Sequence, residues 1–544
     1  MVVTTSPTDL PRVAGRGIQP GTVQTGRAEL APGNGFSTRA AAEAYIGKVC
    51  FKQGPPMLIG AELEWLTAQG EPSASAPRPQ LTVLADALGS YAPQSISPDS
   101  PAHPLPGGSR VTLEPGGQIE LSSAPFGTAA ELCERLLADT GRLRELLETR
   151  DIRIFSASAD PVRTPQRLLQ LPRYRAMERS FAGIGPFGAL MMCNTAAAQV
   201  SVDAGVDATD IAARWTALYA IGPALLAAFA CSPELSGAPP GAWASQRMRT
   251  WLRLDHLRTR PPVHDWSDPI AGYARWALDV PLLCVRPESS AGVNGSAAAA
   301  NGSQGSAAAA NGSQGSAAAA NGSQGSVAVN GSQGSVAVNG SQGSVAVNGS
   351  QGSVAVNGSH GSAGANGSHG SGAANGSAGA HGSNGAAAAL SADWTAPPGA
   401  TFADWLCGAL DDEIGRRPNH DDLDYHLTTV FPPVRASGHL EVRYLDAQPG
   451  HTWTVPVHAI DALVSAPAVV AEATALAGST VGRWSEAARY GLADPEIRAA
   501  AVALLELATA HAATPAAAAE LAAAAARCRE GRTPTAFLES GGGA

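Results

Sequence analysis

Residues 110–123, RVTLEPGGQIELSS, read as two short strands joined by a tight turn at Pro115-Gly116-Gly117. Proline presets φ for such a turn, and glycine accepts backbone angles that other residues resist. Three further segments alternate in the strand manner: 58–66 (LIGAELEWL), 197–203 (AAQVSVD) and 439–445 (HLEVRYL). Helical spacing runs through 36–47, through 128–149 with Thr128 as N-cap, through 210–231, and through the Ala-rich chain from 459 onward. There, Asp494-Pro495 has the form of an N-cap followed by proline at the first helical position. Strands and helices mix without a strand–helix–strand rhythm, and no Gly-rich phosphate loop follows a strand. The expected class is therefore α+β with a largely antiparallel sheet.

The period of two places like residues on one face of each strand. Glu62 and Glu64 point one way, and Leu63 and Trp65 the other. Glu114 precedes the turn; Gln118 and Glu120 share a face after it. Gln199, Ser201 and Asp203 share a face against Val200 and Val202. Glu441 and Arg443 share a face against Leu440, Val442 and Tyr444. One account is a half-solvated sheet. A solvated face, however, mixes charges of both signs with Thr and Lys, whereas these faces carry mainly carboxylates and amides. If the strands are neighbours, such carboxylates repel one another. A divalent cation resolves that conflict, and an oxygen-only donor set suits magnesium or manganese.

Composition excludes other classes. With 36 basic and 46 acidic residues the net charge is −10, so no nucleic-acid partner is expected. The seven cysteines include no CxxC pair, which argues against a disulfide framework. The N-terminus lacks a basic stretch followed by an apolar one. The most apolar window, 217–230, is short, is interrupted by Gly222-Pro223, and reads as a core helix with no membrane role. These features together predict a cytoplasmic protein.

AAAANGSQGS recurs from Ala297 and VAVNGSQGS from Val327. The units are small and polar, and are expected to form a flexible coil, not a solenoid. His360, His369 and His381 in this tract would make only a weak metal site. The flanks, 276–287 (helix then strand) and 401–415 (an amphipathic helix), read as parts of one folded unit. The tract is then an expanded surface loop within a domain. The expected division is a disordered tail at 1–35, a first catalytic part at 36–286, a low-complexity insert at 287–397 and a second catalytic part with a helical C-terminus at 398–540.

The strings IGAELEWL, EPGGQIELSSAP, PRYRAMERSF, GALMMCNTAAAQVSVDAG, SQRMRTWLRLDHLRTRPP and HLEVRYLDAQPG occur in this order. Together they resemble the plant-type glutamate–cysteine ligases, in particular the actinobacterial members that open ergothioneine synthesis. The resemblance implies a glutamine-synthetase-like fold, with a curved antiparallel sheet flanked by helices and here interrupted by the low-complexity loop. It implies ATP as co-substrate and magnesium held by Glu62, Glu64, Glu114, Glu120 and Glu441, with Gln199 facing the same cluster. By the same resemblance Glu120 and Arg443 are catalytic, Arg443 meets phosphate or a substrate carboxylate, and Arg247, Trp251 and Arg258 lie on the substrate side. Asn194 and Ser201 stand where the plant enzymes usually have Arg and Asn.

The implied reaction joins the side-chain carboxylate of glutamate to the amine of cysteine through an acyl phosphate, giving γ-glutamylcysteine. It needs no protein nucleophile, so the lack of a Ser-His-Asp or Cys-His arrangement is in keeping. Three alternatives stay open: a ligase of the same fold with another amine acceptor, a non-catalytic nucleotide-binding relative, and a structural repeat protein.

Overall fold

The computed structural model describes residues 35–54, 57–70, 76–261, 268–286 and 394–534, and nine short strands between residues 298 and 375. The expected N-terminal tail, save Gly35, and the three repeat histidines lie outside the described residues.

The main sheet is built from β1 (Ile59–Gln69), β2 (Arg110–Leu113), β3 (Ile119–Ser122), β4 (Ile152–Phe155) and β5 (Ala197–Val202), the repeat strands β6–β14 between Ala298 and Asn375 standing apart, and then β15 (Val434–Ala436) and β16 (Leu440–Asp446). Its order is β15-β16-β5-β1-β3-β2, and every pairing is antiparallel. The long β1 changes partner along its length. Residues 62–65 pair with β3, and residues 66–69 pair with β4. The α+β class with an antiparallel sheet is thus what the chain adopts.

Alternation in β1 is visible as burial: Ile59, Ala61, Leu63 and Trp65 are buried, while Glu62 and Glu64 between them keep partial access. Ala198, Val200, Val202, Leu440, Val442 and Tyr444 join the same core from β5 and β16. Helices cover this apolar face. The helix Ala208–Phe229 crosses it and is tied there by hydroxyls. Tyr219 donates to the Val434 carbonyl (2.9 Å), and Tyr444 donates to the Leu218 carbonyl (3.3 Å). Glu62, Glu64, Glu120 and Glu441 alternate with these apolar residues and so face the opposite side, whereas Asp446 at the end of β16 turns to the Cys231 amide and the Ser232 and Ser245 hydroxyls.

Several local expectations are met. Thr128 accepts from the Glu131 amide (3.2 Å), and Asp494 accepts from the amides of Glu496 and Ile497 (3.0 and 3.1 Å). Others need correction. Gly222-Pro223 does not interrupt its segment; the helix Ala208–Phe229 runs through both. By length and composition this helix could cross a membrane, but 83% of its most apolar stretch is buried inside the protein. Glycine at 222 serves packing: a Cβ there would lie 2.0 Å from the Trp484 ring. We expect Gly222→Ala to destabilise the protein by about 2 kcal/mol, the ring clash outweighing the better helix propensity of alanine. A lowered urea midpoint with an unchanged slope is the reading that checks it. Segment 401–415 forms two short helices, Phe402–Cys407 and Asp411–Ile414, because Gly408 turns left-handed between them (φ 87°).

The repeat also departs from expectation. Its described residues are parallel strands, not coil. Each strand pairs with the strand two units on, giving a five-stranded and a four-stranded sheet. Equivalent positions of the units stack in register, Asn301 opposite Asn321 and Val345 opposite Val327. A backbone ladder repeated this way satisfies its own amides without a large core, and that possibility is not visible in the composition of a single unit. At the base of the tract the chain closes on itself. The Leu282 amide donates to the Ala400 carbonyl (2.7 Å), and the Val285 amide to the Trp394 carbonyl (2.8 Å). A short turn replacing residues 287–393 is accordingly expected to leave the melting temperature of the main body within about 3 °C, on the order of 1 kcal/mol or less.

Candidate active site

The turn of the 110–123 hairpin starts the site. The Gln118 carbonyl accepts from the Glu114 amide (2.9 Å), and the Gly117 amide returns to the Glu114 carbonyl (2.9 Å). Gly117 has φ 86°, and a Cβ on Gly116 would lie 2.4 Å from the Cys193 carbonyl oxygen. Only glycine lets the turn sit this close to the chain that enters β5. The Gln118 amide locks the contact by donating to the Thr195 carbonyl (2.9 Å).

Register does the rest. Glu64 lies opposite Glu120, Glu62 opposite both Ser122 and Gln199, and Glu441 opposite Ser201. Gln199 Nε2 bridges Glu62 Oε2 (3.0 Å) and Glu64 Oε1 (3.1 Å), and the Ala197 amide donates to Glu64 Oε2 (2.9 Å). Thr112 and Ser122 hydroxyls both donate to Glu120 Oε1, at 2.6 and 3.0 Å. Glu114 makes no side-chain hydrogen bond among the described residues, and the buried Gln199 Oε1 has no partner. The strands that were read separately therefore present their carboxylates to one space.

The crowding is electrostatic as well. Burial, with Glu120 and Glu441 nearby, pushes the Glu62 carboxyl up to about 8. Burial, with Glu114 nearby, pushes Glu120 up to about 7 against the pull of its two hydroxyl donors. Glu64 is raised well above its ordinary value by burial and by Glu114 and Glu120. Glu114 is raised by burial, although Arg173 and Arg443 oppose the shift.

Glu441 behaves differently. Burial alone would raise it, but Arg435 and Arg443 outweigh that and hold it at about 2. Arg435 Nε donates to Glu441 Oε2 (2.7 Å), and Arg443 Nη1 donates to Glu441 Oε1. Both oxygens of this carboxylate are thus engaged by arginine in this structure, unlike those of the other four glutamates. Arg435 was not singled out from the sequence. It lies opposite Glu441 across the three-residue β15, and VRA is too short to show a period. Arg435→Met would leave a buried carboxylate with one guanidinium. We expect a loss of about 3 kcal/mol in stability, read from urea unfolding, with the Glu441 carboxyl moving upward.

Arg443 sits where the β16–β5 register shifts between Val442 and Leu445, and its amide turns to the Pro433 carbonyl (2.9 Å). Such irregularities re-aim side chains. Its guanidinium stands 5.5 Å from the Trp251 ring centroid, and its buried Nε has no partner. Arg247 stands 5.8 Å from the same ring, and Arg247 Nη2 donates to the Arg443 carbonyl (2.8 Å). Trp251 packs edge-on to Phe431 (5.5 Å) and has a buried, unpartnered Nε1.

The expected substrate residues divide accordingly. Arg258 is 2% exposed, and its guanidinium is held by the Thr429 and Pro281 carbonyls (2.7 and 2.5 Å) and by Asp255 (3.2 Å). Each of its three nitrogens donates within the protein, so this buried side chain braces three chain segments, which differs from the open substrate contact expected from the sequence. Arg247, also 2% exposed, is a support behind Arg443 and Glu64, not an open contact. Arg173 and Tyr174, both in PRYRAMERSF, were passed over as individual residues. Arg173 holds the Thr428 hydroxyl and carbonyl (2.6 and 3.0 Å) and lowers Glu114. Asn194 is fully buried: its carbonyl takes Arg78 (2.7 Å), and its amide reaches the Arg163 carbonyl (2.6 Å).

Among the described residues no three His, Cys, Asp or Glu side chains form a ready-made metal cage. The donor chemistry nonetheless fits magnesium. The donors are oxygens only, Glu62, Glu64, Glu114 and Glu120 stay raised despite the arginines nearby, and a buried amide oxygen stands unpartnered beside them. Magnesium characteristically takes one or two carboxylates, phosphate oxygens and water in place of a full protein cage.

A family description, glutamate–cysteine ligase family 2, matches residues 58–539. The glutamate–cysteine ligase EgtA of Mycolicibacterium smegmatis is 30% identical over 477 residues, 87% of this chain and 84% of that protein. The EgtA of Mycobacterium tuberculosis is 29% identical over 467 residues, 85% of this chain and 81% of that one. A chloroplastic glutamate–cysteine ligase of Medicago truncatula is 32% identical over 179 residues, 32% of this chain and 35% of its own length.

Proposed function

The chain belongs to glutamate–cysteine ligase family 2, and from that premise we propose that it uses ATP to join the side-chain carboxylate of glutamate to the amine of cysteine. As a member of that family it is a ligase. The observation that carries the specific reading is the meeting of Glu62, Glu64, Glu114, Glu120 and the free Gln199 oxygen beside Arg443 on one face of the sheet.

A carboxylate is a poor acyl donor because its oxygen leaves badly. In the proposed sequence a glutamate side-chain oxygen attacks the γ-phosphorus of ATP, and ADP leaves. The cysteine nitrogen then attacks the acyl carbon, phosphate leaves, and the nitrogen gives up a proton to solvent. Glu62, Glu64, Glu114 and Glu120, with Gln199, would hold magnesium, which when bound neutralises and orients the phosphate oxygens. Glu441 keeps Arg435 and Arg443 in place. Arg443, with a free Nε and its guanidinium over the Trp251 ring, offers directed hydrogen bonds to phosphate or to the substrate carboxylate. Glu120, Gln199 and Glu441 are buried on this face, which limits the access of water to the acyl phosphate there.

The product, γ-glutamylcysteine, would feed ergothioneine synthesis. All seven cysteines are unpaired, as a reducing compartment such as the cytoplasm allows. Purified protein incubated with ATP, magnesium, glutamate and a panel of amines tests the reading. ADP release is expected with cysteine; release with another amine, and none with cysteine, moves the assignment to a different acceptor.

A further inference from the structure

A second concavity lies away from the acidic face and shares none of its residues. It has a volume of about 660 Å³ and an apolar wall that includes Leu137, Phe229, Val455 and Ala524. Pockets of this size and character hold small molecules. Two charged side chains of the helix Pro515–Arg529 open onto it, Glu520 and Arg527. Seven residues separate them, two helical turns, or about 10 Å along one face.

Arg527 is 6% exposed, yet among the described residues it forms no ion pair. Its recorded bond is from Nη1 to the Arg532 carbonyl (3.0 Å). A buried guanidinium without a carboxylate is costly, and burial does lower its pKa. Glu520 is exposed; Thr454 donates to its Oε2 (2.7 Å), which leaves the other oxygen open. The cavity thus has a strong anion-seeking end, an apolar middle and a weaker cation-seeking end.

We propose that this cavity is a second binding site, for a small zwitterion that carries its carboxylate and its ammonium at opposite ends of an apolar body. The carboxylate meets Arg527, the methylenes lie along Phe229 and Val455, and the ammonium meets Glu520. Because Arg527 is buried and Glu520 is exposed, the carboxylate end contributes more.

Calorimetric titration of the full chain with 6-aminohexanoate, with hexylamine as control and glutamate and cysteine saturating, tests the proposal. Binding of 6-aminohexanoate is expected to be at least tenfold tighter than that of hexylamine. Arg527→Gln should weaken it at least tenfold, and Glu520→Gln about threefold. Ala523 is exposed on the cavity rim, so Ala523→Trp fills the space without touching the core and should abolish binding even if the Arg527 variant folds poorly. Glu120→Gln should leave binding unchanged. No heat with the unsubstituted chain, equal affinity in Ala523→Trp, or loss in Glu120→Gln would each overturn the proposal.

Discussion

Glu120→Gln is expected to lower kcat/KM by about 10³-fold, or about 4 kcal/mol of transition-state stabilisation, while raising the melting temperature of the magnesium-free protein. Both effects come from one cause. Glu120 Oε1 is held by Thr112 and Ser122, so the side chain keeps its place after substitution. What changes is charge. The buried carboxylate faces Glu114 and, across the register, Glu64; Glu114 raises Glu120, and both raise Glu64. A neutral amide relieves that repulsion and so stabilises the empty fold. It also removes a donor for magnesium and the negative charge that would draw the ion. A residue with a merely structural role gives the opposite pattern, lower stability with turnover kept. Steady-state ADP release and differential scanning calorimetry on one preparation separate the two. Unchanged turnover would take Glu120 out of the mechanism.

The magnesium-free protein is also expected to lose stability as pH rises from about 4.5 to about 8, by an amount on the order of 5 kcal/mol. Glu62 titrates at about 8 and Glu120 at about 7 in the folded protein, against 4.5 for a free side chain. Across that window the folded chain binds more protons than the unfolded chain, so each rise in pH favours unfolding. Below 4.5 both states are protonated, and the stabilisation is fully present. Above 8 it is gone. Glu441, held at about 2, has the opposite sign, and its contribution is lost only as pH falls towards 2. Magnesium replaces the missing protons, so it should restore stability at pH 8 and do little at pH 5. Urea unfolding at several pH values, with and without magnesium, measures this. A stability that rises between pH 5 and 8, or that ignores magnesium at pH 8, would remove the acidic face as a cation site. The Glu62→Gln and Glu120→Gln variants should flatten the profile.

Much of the site was legible because strands declare their faces. ELE in β1 and QIE after the turn each set acid against apolar residue, and the structure keeps that division. The turn could be read from Pro-Gly-Gly. Its need for glycine at 116 could not, since that rests on Cys193, which is remote in sequence. Arg435 was hidden because its meaning lies in a partner across β15 and β16. Arg258 was misjudged for the converse reason: it lies in a motif that also carries Trp251, and only the carbonyls of Pro281 and Thr429 show where its donors go. The repeat misled because a coil and a stacked ladder have the same composition; register between units, not content within one, separates them.

Local chemistry, then, was set by the sequence alone: which segments are strands, which side of each is acidic, where helices begin, and that the donors are oxygen. Those properties depend on neighbours within a few positions, through side-chain alternation and capping. The tertiary structure alone decided that Glu62, Glu64, Glu114 and Glu120 share one space, that Glu441 is matched by two arginines, and that Arg258 is a brace. Such facts depend on strand order and register, which bring together residues hundreds of positions apart and set both their distances and their access to water.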